Sequence, residues 1–174
     1  MRYSSADVQT FVQEEDVRFI HLSFCDVFGR QKNIAILPGE LPRAFTYGIA
    51  IVASAIAGFG GEVHSDLFLH PDPNTLILLP WRPEQGKLVQ MSCEIRYPDG
   101  RRFENDTRGI LADAVARAGK LGLQFSFGSE LEFYLFYLQE DGTPSKHPHD
   151  RASYMDAAPE DKGEGIRREI CMLL

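Results

Sequence analysis

The segment Gly128-Ser-Glu-Leu-Glu-Phe-Tyr-Leu-Phe136 places two carboxylates, Glu130 and Glu132, inside an otherwise apolar run. Its alternation predicts a β-strand, in which successive side chains point to opposite faces. Glu130 and Glu132 would then share one face, and Leu131 and Phe133 would be buried behind them. Two ionised carboxylates on a half-buried surface repel each other and lose hydration, so a cation that neutralises them is favoured. The segment therefore predicts a divalent-metal site.

The alternative is an edge strand whose polar face is in water, because two glutamates separated by one residue form a common pattern. The surroundings favour the metal site, since an exposed strand is rarely so rich in aromatic residues and Gly128 interrupts the apolar run just before the carboxylates. The aromatic residues are Phe125, Phe127, Phe133, Tyr134 and Phe136.

Composition limits the class of protein. The chain has 174 residues, of which 44% are hydrophobic and 11% aromatic, enough for a packed core in one or two domains. A net charge of −7 argues against a nucleic-acid surface, so small molecules or proteins are the expected partners. No apolar stretch reaches the roughly 20 residues that span a bilayer, and the N-terminus lacks the apolar core of a signal peptide. We expect a cytoplasmic protein without membrane contact.

The three cysteines are widely spaced, and each has apolar neighbours. This pattern predicts small core residues in a reducing compartment, without the spacing of metal ligands. They are Cys25, Cys93 and Cys171.

Strands dominate the predictions for residues 1–105. Ser4 or Ser5 is expected to cap a short helix, and a turn at 26–29 is expected to join two strands into a hairpin. A helical segment precedes Gly48, and residues 48–61 read as an apolar, glycine-rich loop. The strands are predicted at 17–24, 31–37, 75–79 and 87–97, with a turn at 70–74.

A change in composition near Asp106 predicts a domain boundary between residues 105 and 106. Thr107 can cap a helix reaching Lys120, with an apolar face formed by Ile110, Leu111, Ala114, Val115 and Ala118. Residues 123–127 and 130–138 are predicted to pair as strands, before a polar excursion at 140–160. A last helix starts at Asp161 and has no stop signal, so we expect the chain to end inside a domain.

Several motifs occur together and in order, and with them the chain resembles the glutamine synthetase family. The segment 128–136 is similar to the G-x-E-x-E-F-x-L-F strand of that family. The further matches are residues 22–32, Leu69-His-Pro-Asp-Pro73 with Leu79-Pro-Trp81, Tyr97-Pro-Asp-Gly-Arg101, and residues 161–171.

The resemblance implies an α+β fold, with a β-grasp (ubiquitin-like) N-terminal domain at 1–105 and the opening part of a catalytic domain with an antiparallel sheet at 106–174. It covers essentially this whole chain but only about the first two fifths of a family member. In the family, ATP phosphorylates the γ-carboxylate of glutamate and ammonia displaces the phosphate. The full-length protein is accordingly expected to form homo-oligomeric rings, a dodecamer by resemblance, while the 174-residue chain alone is expected to be inactive.

The resemblance also assigns the site residues. Glu130 is expected to bind the metal nearer the ATP phosphates, and Glu132 the metal nearer glutamate. Their hard oxygen donors suit Mg²⁺ or Mn²⁺. Tyr154 matches the tyrosine that lines the ammonium pocket and is the candidate catalytic residue. The histidines of Lys146-His-Pro-His-Asp150 are expected to be solvated surface.

One departure from the family bears on the substrate. Val52 stands where the family has an aspartate that attracts ammonium, and Ala55 replaces a serine. Three hypotheses follow: a ligase that uses ammonia, a γ-glutamyl ligase that uses another amine, and a β-grasp interaction module without chemistry. The apolar residues 49–59 predict an interface between subunits, which Lys in place of Ile51 and Ile56 would disrupt. The alternative is that this segment folds onto the sheet of its own domain.

Overall fold

The computed structural model describes residues 3–59, 66–80 and 83–174. Packing divides the chain into two compact units, Met1–Phe125 and Ser126–Leu174. Trp81 of the motif and residues 60 and 61 of the predicted loop lie outside the described residues. No helix within the described ranges is long and apolar enough to cross a membrane.

The first unit is built on a mixed sheet that contains six strands within the described ranges. β1 and β6 lie parallel at its centre, whereas the other neighbours pair antiparallel. The order is β2-β1-β6-β4-β3, and β5 also pairs with β6. The strands are β1 Val17–Cys25, β2 Gln31–Ile36, β3 Ile49–Ile51, β4 Leu67–Pro71, β5 Ile77–Leu79 and β6 Lys87–Arg96.

Three helices accompany this sheet: α1 Ser5–Glu14, α2 Leu41–Tyr47 and α3 Thr107–Lys120. Ser4 caps α1 as predicted, because its hydroxyl accepts from the Asp7 amide while the Asp7 carboxylate accepts from the Ser4 amide. Buried side chains of α1 and α2 join those of β1, β4 and β6 in one hydrophobic core. This arrangement confirms the predicted α+β class.

The central strand β6 shows the alternation that a half-buried strand requires. Val89, Met91, Cys93 and Ile95 are all fully buried, and the residues between them are partly exposed. Burial raises the pKa of the Cys93 thiol to about 12, so it is an inert core residue, as predicted. The same prediction is wrong for Cys25 and Cys171, which are exposed.

The turn between β1 and β2 is organised by Asp26, which is 1% exposed. Its Oδ1 accepts from the amides of Phe28 and Arg30 at 3.0 and 2.9 Å. Burial opposes ionisation, but these hydrogen bonds and the nearby Lys32 ammonium hold the pKa of Asp26 below its usual value. The predicted hairpin is therefore confirmed.

Strand β4 was not predicted, because residues 70–74 read as a turn. Leu67, Leu69 and Pro71 are buried and alternate with partly exposed residues, so the pattern was present. Pro71 is the last residue of the strand, and its presence favoured a turn over a strand in the sequence, since a proline usually interrupts a strand ladder.

The large apolar side chains of residues 49–59 are mostly buried, and Val52 is the exception. Ile49 and Ile51 form β3 against β4, and each is only 8% exposed. Phe59 is 1% exposed, with its ring centroid 5.0 Å from that of Phe103. Ile56 packs partly against the same core. The apolar character thus serves the core of the unit itself, and the interface predicted from it loses its physical basis.

Helix α3 has nearly the predicted bounds, but Thr107 is its first residue and not its cap, because Asp106 occupies the N-cap position. The apolar face of α3 is not covered. Ile110, Leu111 and Val115 are 53%, 60% and 57% exposed, whereas Gly109 and Ala118 are the buried residues of this helix. The N-terminus of α3 is held to the sheet, because the buried Asp106 carboxylate accepts from the Ile95 amide at 3.3 Å.

The second unit contains β7 Phe136–Leu138, β8 Pro144–Pro148 and α4 Glu164–Leu173. β7 and β8 pair antiparallel. α4 begins three residues after the predicted start, since Asp161 precedes it and accepts from the Gly163 amide at 2.9 Å. Among the described residues of this unit, only Gly163 is buried.

Candidate functional site

The segment that carries Glu130 and Glu132 is less regular than predicted. Residues 123–135 have no assigned strand, and β7 begins only at Phe136. β7 pairs with β8 rather than with 123–127, so the predicted strand pair is wrong. A strand needs a hydrogen-bonded neighbour, and the short hairpin supplies one only beyond Leu135, whose carbonyl accepts from the His149 amide at 2.8 Å.

The predicted burial behind the carboxylates is also wrong. Leu131 is 76% exposed and Phe133 is 48% exposed, and Glu130 and Glu132 are exposed as well. Burial of one face of a strand requires a second layer packed against it, and this unit consists of one hairpin and one helix within the described residues. That the two carboxylates face the same side stays a prediction.

An open cavity of about 560 Å³ adjoins this segment. Glu132 is part of its wall, together with the neighbours of Tyr154 in sequence. Further lining residues come from β8 and from the start of α4. Those that matter for the site are His149, Ser153, Met155, Asp156, Asp161 and Arg167.

The cavity wall is held together by hydrogen bonds around the start of α4. Arg167 forms a two-pronged ion pair with the carboxylate of Asp161, and this hydrogen bonding holds the pKa of Asp161 below its usual value. Asp150 accepts from the Lys162 amide at 2.9 Å. His149 Nε2 lies 3.2 Å from the Lys162 carbonyl oxygen and donates to it.

The expectation of a solvated histidine loop is therefore wrong for His149. This residue is partly buried, and its ring also lies 5.5 Å from the ring of Tyr137. Sequence reasoning missed His149, Asp156 and Arg167 as members of the cavity wall. For Asp156 and Arg167 the available signal was their place beside Tyr154 and within the 161–171 motif, since their contacts with Ser153 and Asp161 are local. For His149 the contacts with Tyr137 and Lys162 join separate segments, so its neighbours in sequence do not reveal them.

Tyr154 lies in a turn closed by Asp156. The Ser153 amide donates to Asp156 Oδ2 at 2.7 Å, and the Asp156 amide donates to the Ser153 carbonyl at 3.2 Å. Tyr154 itself is 88% exposed. The structure thus places Tyr154 at the edge of the wall that contains Glu132, on an ordered turn.

The two carboxylates alone do not make up a complete metal site. Across the described residues, no group of three or more histidine, cysteine, aspartate or glutamate side chains is placed to hold an ion. Glu130 and Glu132 are exposed oxygen donors of the kind that Mg²⁺ and Mn²⁺ prefer. The donor chemistry fits such an ion, and further ligands are needed to complete its coordination.

Val52 is the candidate substrate-related residue of the first unit. It follows β3 and is 59% exposed, although Ile51 and Ala53 on either side of it are buried. An exposed aliphatic side chain cannot attract a cation electrostatically. The position is therefore accessible to a ligand, and its surface is apolar.

Comparison with known protein families agrees with the family resemblance of the sequence motifs. The glutamine synthetase β-grasp domain model matches residues 16–98, and the glutamine synthetase catalytic domain model matches residues 104–174. The predicted boundary at 105/106 stays a prediction, since compactness divides the chain elsewhere, at Phe125.

Curated relatives match nearly the whole chain. The glutamine synthetase of Clostridium saccharobutylicum is 39% identical over 173 residues, which are 99% of this chain and 39% of the relative. That of Thermus thermophilus is 37% identical over 174 residues, covering 98% of this chain and 39% of the relative. The chain thus spans about two fifths of the length of these relatives.

Solved structures share the fold. A Plasmodium falciparum glutamine synthetase superposes with a TM-score of 0.74 at 16% identity, over 99% of this chain and 40% of that one. A GmaS/ADP complex gives a TM-score of 0.72 at 22% identity, over 96% and 38%. Since both domain models match in order and the relatives agree over the whole chain, this chain belongs to the glutamine synthetase family of ligases, with its β-grasp domain and part of its catalytic domain.

Proposed function

We propose that the full-length protein containing this chain joins ammonia to glutamate at the expense of ATP, through γ-glutamyl phosphate. The observation that carries the proposal is the position of Glu130 and Glu132: they lie in the part matched by the catalytic domain, and Glu132 forms part of a cavity wall. Glutamate, ATP and the amine are the proposed small-molecule partners.

Glu130 and Glu132 would hold Mg²⁺ or Mn²⁺ through their carboxylate oxygens. Such an ion offsets the charge of the phosphates and orients the transferred group. Glu130 is assigned to the side of the ATP phosphates and Glu132 to the side of glutamate. Tyr154 is assigned to the amine pocket, where its exposed ring can contact the attacking nitrogen.

A second candidate is a γ-glutamyl ligase that uses an amine larger than ammonia. The exposure of Val52 favours it, because an accessible aliphatic side chain can contact an alkyl group but offers no charge to ammonium. In this reading, Val52 selects for an alkylamine, and the phosphorylation step on glutamate is unchanged.

We further propose that the full-length protein is a cytoplasmic homo-oligomer, as the resemblance implies. The interface is not assigned to Ile49 or Ile51, which belong to the core of the first unit. A ring-shaped assembly, including a dodecamer, remains part of this proposal.

The test is phosphate release by the full-length protein with glutamate, ATP and either Mg²⁺ or Mn²⁺, with ammonium and primary alkylamines compared as co-substrates. Glu130→Gln and Glu132→Gln should each lower kcat/KM by about 100-fold or more and weaken Mn²⁺ binding measured by calorimetry, because an amide is a poorer ligand than a carboxylate. Glu140→Gln, an exposed carboxylate of the same unit, is the matched control.

The 174-residue chain alone should release no phosphate, because two carboxylates make a weak site. Turnover with ammonium would support the first candidate, and turnover only with alkylamines the second. If neither class of amine stimulates phosphate release and the Gln variants bind Mn²⁺ like the unmodified protein, the interaction module becomes the better description.

A further inference from the structure

The turn that presents Tyr154 has an unfavourable backbone at its third residue. Met155 has a φ of 61°, in the left-handed region that residues with a Cβ seldom occupy. A glycine or asparagine usually stands at such a position in a turn. The turn between Ser153 and Asp156 therefore needs another interaction to keep this conformation.

Burial of the central side chains does not supply that interaction. Tyr154 is 88% exposed, and Met155 is 84% exposed. The Asp156 carboxylate does supply it, since Oδ2 accepts from the Ser153 amide at 2.7 Å, across the turn. Hydrogen bonds to a charged acceptor are stronger than neutral ones, which suits a carboxylate that must offset an unfavourable backbone.

This turn also belongs to the wall of the cavity that contains Glu132. Ser153, Met155 and Asp156 all line that cavity. The direction in which the Tyr154 ring leaves the wall is therefore set by the backbone of residues 153–156. A relaxed turn would move the ring relative to the cavity without changing any residue that contacts the phosphates.

We infer that Asp156 is a positioning residue for Tyr154: its carboxylate holds the turn 153–156, so that the Tyr154 ring stands at the place where the amine substrate binds. The inference rests on the proposed function, in which Tyr154 lines the amine pocket. Asp156 contacts no reacting atom in this role and acts only through Tyr154.

The kinetic test uses the full-length protein at saturating glutamate and ATP. Asp156→Ala should raise KM for the amine about tenfold, while kcat and KM for glutamate stay within about twofold. Asp156→Asn should stay within about threefold of the unmodified protein, because its amide oxygen still accepts from Ser153. In a Tyr154→Ala background, Asp156→Ala should add almost nothing, since the two residues act as a unit.

Asp141→Ala is the matched control. The Asp141 carboxylate also accepts a backbone hydrogen bond within a turn, from the Thr143 amide at 2.9 Å in the β7–β8 turn, and Asp141→Ala should leave the KM for the amine unchanged. An unchanged KM in Asp156→Ala, equal increases in KM for all three substrates, or a full additional effect in the Tyr154→Ala background would overturn the inference.

A second measurement separates this inference from the proposed function. By NMR of the 174-residue chain, Asp156→Ala should lower the backbone order parameter of Tyr154 below about 0.6, the range of flexible segments, and Asp141→Ala should not. If the full-length protein shows no amine-dependent turnover, the proposed function fails while this readout still decides the role of Asp156. An unchanged order parameter for Tyr154 would overturn that role.

Discussion

Phe59 tests whether residues 49–59 belong to the core of the first unit. It is 1% exposed, and its ring centroid lies 5.0 Å from Phe103, edge to face, and 6.1 Å from Phe24. Phe59→Ala removes the buried ring and leaves a cavity among these partners. Substitutions of this kind cost about 3–5 kcal/mol, so we expect the free energy of unfolding to fall by about 4 kcal/mol.

The assay is urea unfolding of the 174-residue chain, followed by far-ultraviolet circular dichroism. With a denaturant slope of about 2 kcal/mol per molar urea, a loss of about 4 kcal/mol lowers the midpoint by about 2 M. This is a large part of the roughly 5–15 kcal/mol that stabilises an ordinary domain. The variant should therefore begin to unfold at much lower urea concentrations, or be unfolded without urea.

Phe28→Ala is the matched control, because Phe28 is 67% exposed in the β1–β2 turn. Its amide donates to Asp26, and an alanine keeps that hydrogen bond. The expected loss is within about 0.5 kcal/mol, as for most surface substitutions. Equal midpoint shifts for the two variants, or a loss below about 1 kcal/mol for Phe59→Ala, would refute the assignment of Phe59 to the core.

Two further predictions concern the first unit. Ile51→Lys should lower the free energy of unfolding by about 3 kcal/mol or more in the same urea assay, because it buries an unpaired charge. Val52→Lys should change it by less than about 0.5 kcal/mol. Similar losses for both variants would contradict the assigned burial. Burial opposes ionisation of Asp72, but hydrogen bonds from Asn74 and the Arg108 guanidinium hold its pKa below the usual value. The contribution of ionised Asp72 to stability is present above its unfolded pKa of about 3.9 and is lost as pH falls through the lower folded pKa. Asp72→Asn should therefore lower the free energy of unfolding by about 1 kcal/mol at pH 7 and have less effect near pH 2. A pH-independent effect would exclude this ion pair as the cause.

The elements predicted well are those specified by nearby residues. The N-terminus of α1 follows from a capping box whose two members are three residues apart, Ser4 and Asp7. The β1–β2 turn follows from one aspartate and a glycine, and Gly29 has the positive φ of 76° that such a turn requires. α3 ends before Gly122, which has a positive φ of 71°, also for a local reason.

The errors arose where distant residues decide the structure. β3 is a strand because Ile49 pairs with Leu69 and Ile51 with Leu67, and nothing within residues 49–59 specifies those partners. An apolar, glycine-rich sequence is compatible both with a buried strand and with an exposed interface loop. Only the pairing with β4, which was itself hidden by Pro71, distinguishes the two.

The sequence predicts candidate site residues but not their local structure. The order of the motifs predicts Glu130, Glu132 and Tyr154 as site residues, because a motif depends on residue types at fixed spacing, and these assignments stay predictions. The strand and the burial of Leu131 depend on a neighbouring strand and a covering layer, which the alternation of residues assumes but does not provide. The same assumption explains why Ile110 and Val115 of α3 form an apolar face and are nevertheless exposed.

The packing around Val52 shows whether the fold itself requires an apolar side chain at this position. Ile51 and Ala53 fill the core, so a change at either would disturb folding, but Val52 lies between them with 59% of its surface exposed. Its backbone is extended, with a φ of −83° and a ψ of 101°, a conformation open to aspartate as well as to valine. The fold therefore does not require an apolar residue here. Because folding leaves this position free, the second candidate function, a ligase for an alkylamine, is the proposal that gives the exposed aliphatic side chain of Val52 a role.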